Sequence, residues 1–235
     1  MALPRGVLFD LDDTLLDTSG IESEMLEALC VAVREELPEA DEESFRARFR
    51  DGRDQLYERL LRGEWDLVTY RRAHLDAVCE PWGQPSEALH ERALRLRDEQ
   101  LDRARFVEDA VDLLRELSQA GVRTALLTNG PSAMQRRKIE VLGLEPQLDA
   151  IGISGELGVA KPDPRAFAAT LELISCAPED TVMVGDHLDW DVRGALAAGM
   201  RGAVWVAGDD EREPPPGAVR VRRLGEVPAA LAGLA

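Results

Sequence analysis

Lysine is almost missing from this chain of 235 residues: of its 28 basic residues only Lys138 and Lys161 are lysine, and the rest are arginine. Any chemistry that needs a compact side-chain amine therefore has two candidates. Cysteine is scarce as well, and Cys30, Cys79 and Cys176 are odd in number, far apart and in no metal-ligand spacing. They read as reduced, mostly buried residues rather than a disulfide framework or a zinc site. No window approaches the roughly 18 apolar residues of a membrane span, and the opening Met1-Ala2-Leu3-Pro4-Arg5-Gly6 lacks the apolar run of a signal peptide. A soluble, cytoplasmic protein with no membrane partner is expected, as a monomer or homodimer. Positive charge is in short supply too: the formal net charge is -17 and the pI about 4.6. Summed over its surface such a chain repels nucleic acid and anionic membranes, so any phosphate site must make its own positive field.

The chain changes texture twice. Val7-Leu8-Phe9 is a short apolar run that stops abruptly at acids, as a buried strand delivering a loop into a site does. From residue 19 to 104, segments 21–37, 43–61, 69–78 and 86–101 carry apolar residues at helical spacing, with breaks near Pro38, Gly63 and Pro81-Trp82-Gly83. After Phe106 the pattern alternates: helices over 107–119, 134–142, 164–173 and 191–198, strands over 123–127, 150–153, 181–184 and 202–206. Gly121, Gly143 and Gly199 end three of those helices. The expected fold is α/β, a Rossmann-like, doubly wound parallel sheet (1–18 and 105–235) interrupted after its first strand by an all-helical domain (19–104). The polar, proline-rich stretch 209–217 reads as a surface loop.

In an open parallel sheet ligands bind beyond the carboxyl ends of the strands. Polar residues follow four predicted strands: Asp10 and Asp12 after the first, and Thr128, Asn129 and Gly130 after the second. Lys161 follows the third across a short loop, and Gly185 and Asp186 follow the fourth, with Asp189 and Asp191 in the next turn. Alternate spacing lets Asp10 and Asp12 leave an extended segment on the same side. Carboxylates in one crevice, with no thiols or histidine pair nearby, suit Mg2+ better than zinc, and Asp10 and Asp186 fit that need. A carboxylate such as Asp10 can attack phosphorus and form an aspartyl-phosphate. Asp12 is then the natural acid and base, while Thr128, Asn129 and Lys161 would stabilise the phosphoryl oxygens.

Taken in order, Asp10-Leu11-Asp12-Asp13-Thr14, Leu127-Thr128-Asn129-Gly130, Lys161-Pro162 and Gly185-Asp186-His187-Leu188-Asp189-Trp190-Asp191 resemble the four motifs of the haloacid dehalogenase-like hydrolases, phosphatase branch. The resemblance implies Asp10 as nucleophile and metal ligand, Asp12 as acid and base binding metal through its backbone carbonyl, and Asp186 as the remaining protein ligand. It implies a phosphate grip by Thr128, Asn129 and Lys161, and a supporting place for Asp191 beside Lys161 or the metal's water. By the same resemblance the helical module occupies the position of a cap, and the substrate is a small phosphorylated metabolite. The motifs look like the branch of pyrimidine nucleotidases, acylneuraminate-9-phosphate phosphatases and phosphoglycolate phosphatases.

His187 and Trp190 depart from the family's usual residues, and packing is the expected role of both. Asp189 reads as a solvated helix-start residue. His74 and His90 are expected at the surface, Arg46, Arg48, Arg50 and Arg53 on a solvated helix face, and Trp65, Tyr70 and Trp82 in the core of the helical domain. The open rivals are a haloacid dehalogenase, which Asp12 and Asp186 argue against, a sugar-phosphate mutase, and a catalytically silent binding protein.

Overall fold

The computed structural model of the chain describes residues 3–51, 56–57, 59–60 and 63–234. Two compact units emerge, one formed by Met1–Thr18 with Ala104–Ala235 and one by Ser19–Arg103.

The first unit is built on a six-stranded sheet in the order β3-β2-β1-β4-β5-β6. Its strands are β1 (Gly6–Phe9), β2 (Arg123–Thr128), β3 (Ala150–Ile153), β4 (Thr181–Gly185), β5 (Gly202–Val206) and β6 (Ala218–Val221). Every neighbouring pair is parallel. β1 is buried along its whole length and pairs on both sides at the same level: Phe9 faces Leu126 of β2 and Val184 of β4. After β1 the chain builds outward through β2 and β3, then returns to lay β4 on the other side. The order therefore reverses at β1, the place where a doubly wound sheet opens a crevice at its carboxyl edge.

Period-two alternation sends Leu8, Met183, Ala203 and Trp205 to one face, where they pack with Phe167 and Leu171 of the helix Pro164–Ile174. The helix Ala110–Gln119 buries Leu113, Leu114 and Leu117. It starts three residues later than its periodicity suggests, because Phe106 bridges to Leu16 and the Val107 N–H donates to the Leu15 carbonyl, which hold 106–107 extended. The segment expected as helix 191–198 begins earlier, as a wide turn Leu188–Arg193 that runs into Gly194–Ala197. The His187 ring nitrogen accepts the backbone N–H groups of Asp189 and Trp190 and so caps that turn. β6 and the terminal helix Val227–Gly233 lie beyond the last element legible in the sequence.

In the second unit the helices Thr18–Glu36, Glu42–Asp51, Leu67–Cys79 and Glu87–Asp102 enclose a core of Leu29, Val33, Phe45, Phe49, Leu75 and Val78. Asp66 and Ser86 cap two of these helices by accepting the N–H of Thr69 and Leu89. His74 and His90, expected at the surface, are both buried. A buried imidazole needs partners, and His74 has them: it donates to the Phe49 carbonyl at 3.0 Å, accepts from Arg97 at 2.9 Å, and its ring stacks on Tyr70. His90 sits 2.9 Å from the Asp76 carboxylate. Helical periodicity marks which residues share a face but cannot tell a satisfied core histidine from an exposed one. Tyr70 is buried and Trp82 packs against the core, while Trp65 lies half-buried under Arg59. Arg46 pairs with Glu42, and Arg48 donates to the carbonyls of Ala77 and Val78 at the end of their helix. Arg53, like the end of the 43–61 segment, lies outside the described residues. Cys30, Cys79 and Cys176 are free thiols, and burial pushes that of Cys79 up to about 12. Among the described residues no helix is long and apolar enough to cross a membrane.

Candidate active site at the carboxyl edge of the sheet

Asp10 is the first residue past β1, and its N–H still continues the ladder onto the Val184 carbonyl at 3.0 Å. Because β1 and β4 are neighbours in register, Asp10 and Asp186 leave the sheet side by side. Asp10, Asp186 and Asp191 each bring a carboxylate oxygen within 4.8 Å of the others. Lys161 enters this group from the loop after β3 and places its ammonium 2.6 Å from Asp10 Oδ1 and 2.6 Å from Asp191 Oδ1. That lysine is 4% exposed and Asp191 is 1% exposed, so the ion triad is a core feature.

Each member is aimed by its surroundings. The Asn129 amide, which follows β2, clasps the lysine's backbone in both directions, Nδ2 to the Lys161 carbonyl at 2.9 Å and Oδ1 from the Lys161 N–H at 2.9 Å. Asn129, expected as a phosphate ligand, thus spends both ends of its side chain on the lysine. Asp191 takes the Lys161 ammonium on one oxygen and the His187 N–H on the other, at 3.0 Å. Trp205 donates its indole N–H to the Asp186 carbonyl at 2.8 Å. Gly185 leaves the room that Asp191 needs, since a Cβ there would fall 2.4 Å from Asp191 Oδ2. Gly185→Ala is accordingly expected to displace Asp191 and loosen Lys161, lowering turnover about 100-fold and the melting temperature by several degrees. Steady-state kinetics beside a thermal melt checks this, and wild-type turnover would refute it.

Burial, followed by the charges of Asp191, Asp186 and Asp12, pushes the Asp10 carboxyl well above the usual range despite the pull of Lys161. Burial and the charges of Asp191 and Asp13 likewise push Asp186 up to about 7. Burial works against the charge of Lys161, but the carboxylates of Asp10 and Asp191 outweigh it and hold its pKa above the ordinary lysine value. One ammonium does not balance three acids. The deficit is of positive charge, the donors are all hard oxygens, and Asp191 already uses both of its own. Asp10 and Asp186 are the side chains that fit a divalent cation such as magnesium.

Asp12 does not join this group. Its carboxylate turns to the helix Ser132–Leu142, where Lys138 Nζ lies 2.6 Å from Oδ1 and Gln135 Nε2 lies 3.0 Å from Oδ2, and Thr18 adds a hydroxyl at 2.5 Å. Burial would raise its pKa, but Lys138 and these hydrogen bonds prevail and hold it below the usual carboxylate range. Asp10 and Asp12 are therefore gripped by different lysines, the only two in the chain. Thr128 is buried with its hydroxyl 2.5 Å from Gln135 Nε2. Gln135 and Lys138 carried no motif, so nothing local in the sequence marked them; the one signal was the rarity of lysine.

Three expected bystanders are also located. Asp189 is exposed and paired with Arg193 at 2.6 Å. His187 stacks on the Trp190 ring at 4.1 Å between centroids, and Trp190 is 48% exposed.

The model of the haloacid dehalogenase-like hydrolases matches residues 4–199. The chain belongs to that family. Among curated relatives, this hydrolase is 33% identical to a phosphoserine phosphatase of Thermus thermophilus, with 85% of this chain and 87% of that protein covered. It is 31% identical to the N-acylneuraminate-9-phosphatase of Rattus norvegicus, over 86% of this chain and 82% of that one. Among solved structures it resembles the HAD-hydrolase YfnB of Bacillus subtilis, determined bound to magnesium, with a TM-score of 0.76, 25% identity and coverage of 98% and 99%. The enzyme is a phosphoric monoester hydrolase of this family.

Proposed function

We propose that this hydrolase is a magnesium-dependent phosphatase that cleaves the phosphate from a primary alcohol of a small polar metabolite, through an aspartyl-phosphate on Asp10. The observation that carries the reading is the Lys161 ammonium held between Asp10 and Asp191 at the carboxyl edge of the sheet, with Asp186 alongside. Asp10 attacks phosphorus, a new oxygen–phosphorus bond forms, and the bond to the substrate's oxygen breaks. Asp12, ionised before substrate binds, takes up a proton as the phosphate's negative charge comes beside it, gives that proton to the departing alkoxide, then takes one from the water that splits the aspartyl-phosphate and releases inorganic phosphate. Lys161 and Thr128 face the phosphoryl oxygens, and the Asn129 amide keeps Lys161 in register. Bound by Asp10, Asp186 and the Asp12 carbonyl, magnesium would supply charge neutralisation for the phosphate and the acid cluster. The helical unit 19–104 serves as the cap that selects the substrate.

The substrate class rests on what named relatives share. Phosphoserine, N-acylneuraminate 9-phosphate and the glyceraldehyde 3-phosphate of a Methanopyrus kandleri relative, 28% identical over 83% of this chain, all carry phosphate on a terminal carbon. Nucleoside 5′-monophosphates have the same linkage. A panel of primary-alcohol phosphates assayed for phosphate release with and without magnesium tests the proposal. Magnesium-stimulated release from at least one of them is expected, and no release from any, or equal release in chelator, overturns it.

A second measurement follows from the acid cluster. Asp10 and Asp186 have folded-state pKa values above their unfolded ones, so the stability they confer is present at low pH and lost as pH rises through the folded values. For Asp186 that window runs from its ordinary 3.8 to about 7. Magnesium must displace the same protons. Its stabilising effect on the melting temperature is expected to be small near pH ~5 and several degrees near pH ~8. An equal shift at both pH values counts against these ligands.

A further inference from the structure

Lysine occurs twice in this chain, and each lysine ends on one carboxylate of Asp10-Leu11-Asp12. Lys161 was legible from its place after a strand. Lys138 was not: it lies in the second turn of the helix Ser132–Leu142, yet it is 7% exposed and its ammonium reaches Asp12 Oδ1 at 2.6 Å. Three residues earlier on the same helix face, Gln135 is fully buried and bridges two groups, donating to Asp12 Oδ2 at 3.0 Å and to the Thr128 hydroxyl at 2.5 Å. A carboxylate accepts only, so Gln135 must present its amide nitrogen there, and its oxygen is left buried without a partner among the described residues. Leaving an acceptor unsatisfied in the interior is unfavourable, and the orientation is explained by what the nitrogen holds.

We propose that Lys138, together with Gln135, is a positioning residue for Asp12, fixing its carboxylate in one rotamer beside Thr128 so that it meets the leaving and attacking oxygens. The inference rests on the reading of Asp12 as proton donor and acceptor. With bonds from Lys138, Gln135 and Thr18 on its two oxygens, the Asp12 side chain is tied from three directions. A free aspartate at the same position would divide its time among rotamers, and a misplaced proton donor costs most where the leaving group is poor.

The test compares leaving groups. 2,4-Dinitrophenyl phosphate needs no proton on departure, whereas an alkyl phosphate does; the alkyl ester is the one the wild-type enzyme hydrolyses fastest in the panel above. Lys138→Met keeps the length of the buried stem and removes the ammonium. In single turnovers, which report phosphoryl transfer before the water step that both substrates share, it is expected to slow release of the alcohol about 10- to 100-fold and of dinitrophenolate by no more than about threefold. A merely structural role lowers both alike, and a restraining role raises the alkyl rate; either result overturns the proposal. Should Lys138→Met fail to fold, Gln135→Leu is expected to give the same selective loss. Asp12→Asn is run in parallel. If it slows single-turnover release of both leaving groups equally, the proton-transfer role of Asp12 falls, and this inference with it. If Asp12→Asn is selective and the Lys138 and Gln135 variants are not, the positioning role alone is wrong.

Discussion

Asp10→Asn is expected to abolish phosphate release, a loss on the order of 10⁴- to 10⁶-fold, the scale seen when an enzyme's nucleophile is removed. Asparagine matches aspartate in size and fills the same 7% exposed position, so packing is preserved. What disappears is the anionic oxygen beside Lys161, and a neutral amide oxygen is a poor nucleophile toward phosphorus. Stability should not fall and can rise, because burial and the charges of Asp191 and Asp186 work against an ionised Asp10. Acid quenching with labelled substrate should leave phosphate on the wild-type protein and none on the variant. Retention of more than about a hundredth of the activity would reject Asp10 as the attacking group.

Lys161→Met is expected to damage both activity and stability. Turnover should fall about 10²- to 10³-fold as the charge on the phosphoryl oxygens loses its ammonium. The stability loss has a separate origin: Asp10 and Asp191 would remain buried without a cation, and breaking a buried pair in this way costs about 3–5 kcal/mol. Its pH dependence follows. A carboxylate deprived of its cation takes up a proton more readily, so the folded variant holds more protons than the unfolded chain and its deficit grows as pH rises. Denaturant unfolding should therefore show a small deficit near pH ~5 and a large one near pH ~8. Lys161→Arg should not rescue activity, because a planar guanidinium has no room where a 2% exposed side chain meets two carboxylates at 2.6 Å. Wild-type stability of Lys161→Met at the higher pH would show that the triad does not depend on this lysine.

Much of the fold was legible because its signals are local. Strands 150–153 and 202–206 have the bounds expected of them, since each is a short apolar run that starts just after a charged residue, Asp149 or Arg201. Where structure and expectation differ, the causes are tertiary. The helix expected from 107 starts at Ala110 because residues 106–107 are bonded to Leu15 and Leu16, ninety residues away. β6 leaves little signal in the sequence because Ala218-Val219-Arg220-Val221 is mostly half-buried at the sheet's edge, with little hydrophobic contrast. His74 is buried where the surface is expected because its partners Phe49, Tyr70 and Arg97 belong to three different helices.

The candidate site divides along the same line. That acids, a threonine–asparagine pair and a lysine follow four strands was readable from the chain, since strand ends announce themselves by where apolar runs stop. Which cation grips which acid was not. Lys161 could be matched to the acids by its place in the order, but its bonds to both Asp10 and Asp191 depend on β1 lying between β2 and β4. The capture of Asp12 by Lys138, 126 residues away, depends on the fold bringing the helix Ser132–Leu142 to the loop that follows β1. Sequence spacing decides which residues stand at the ends of strands, because it acts through local conformation. Pairing between charges distant in the chain is decided by strand order and helix placement, which only the folded molecule brings about.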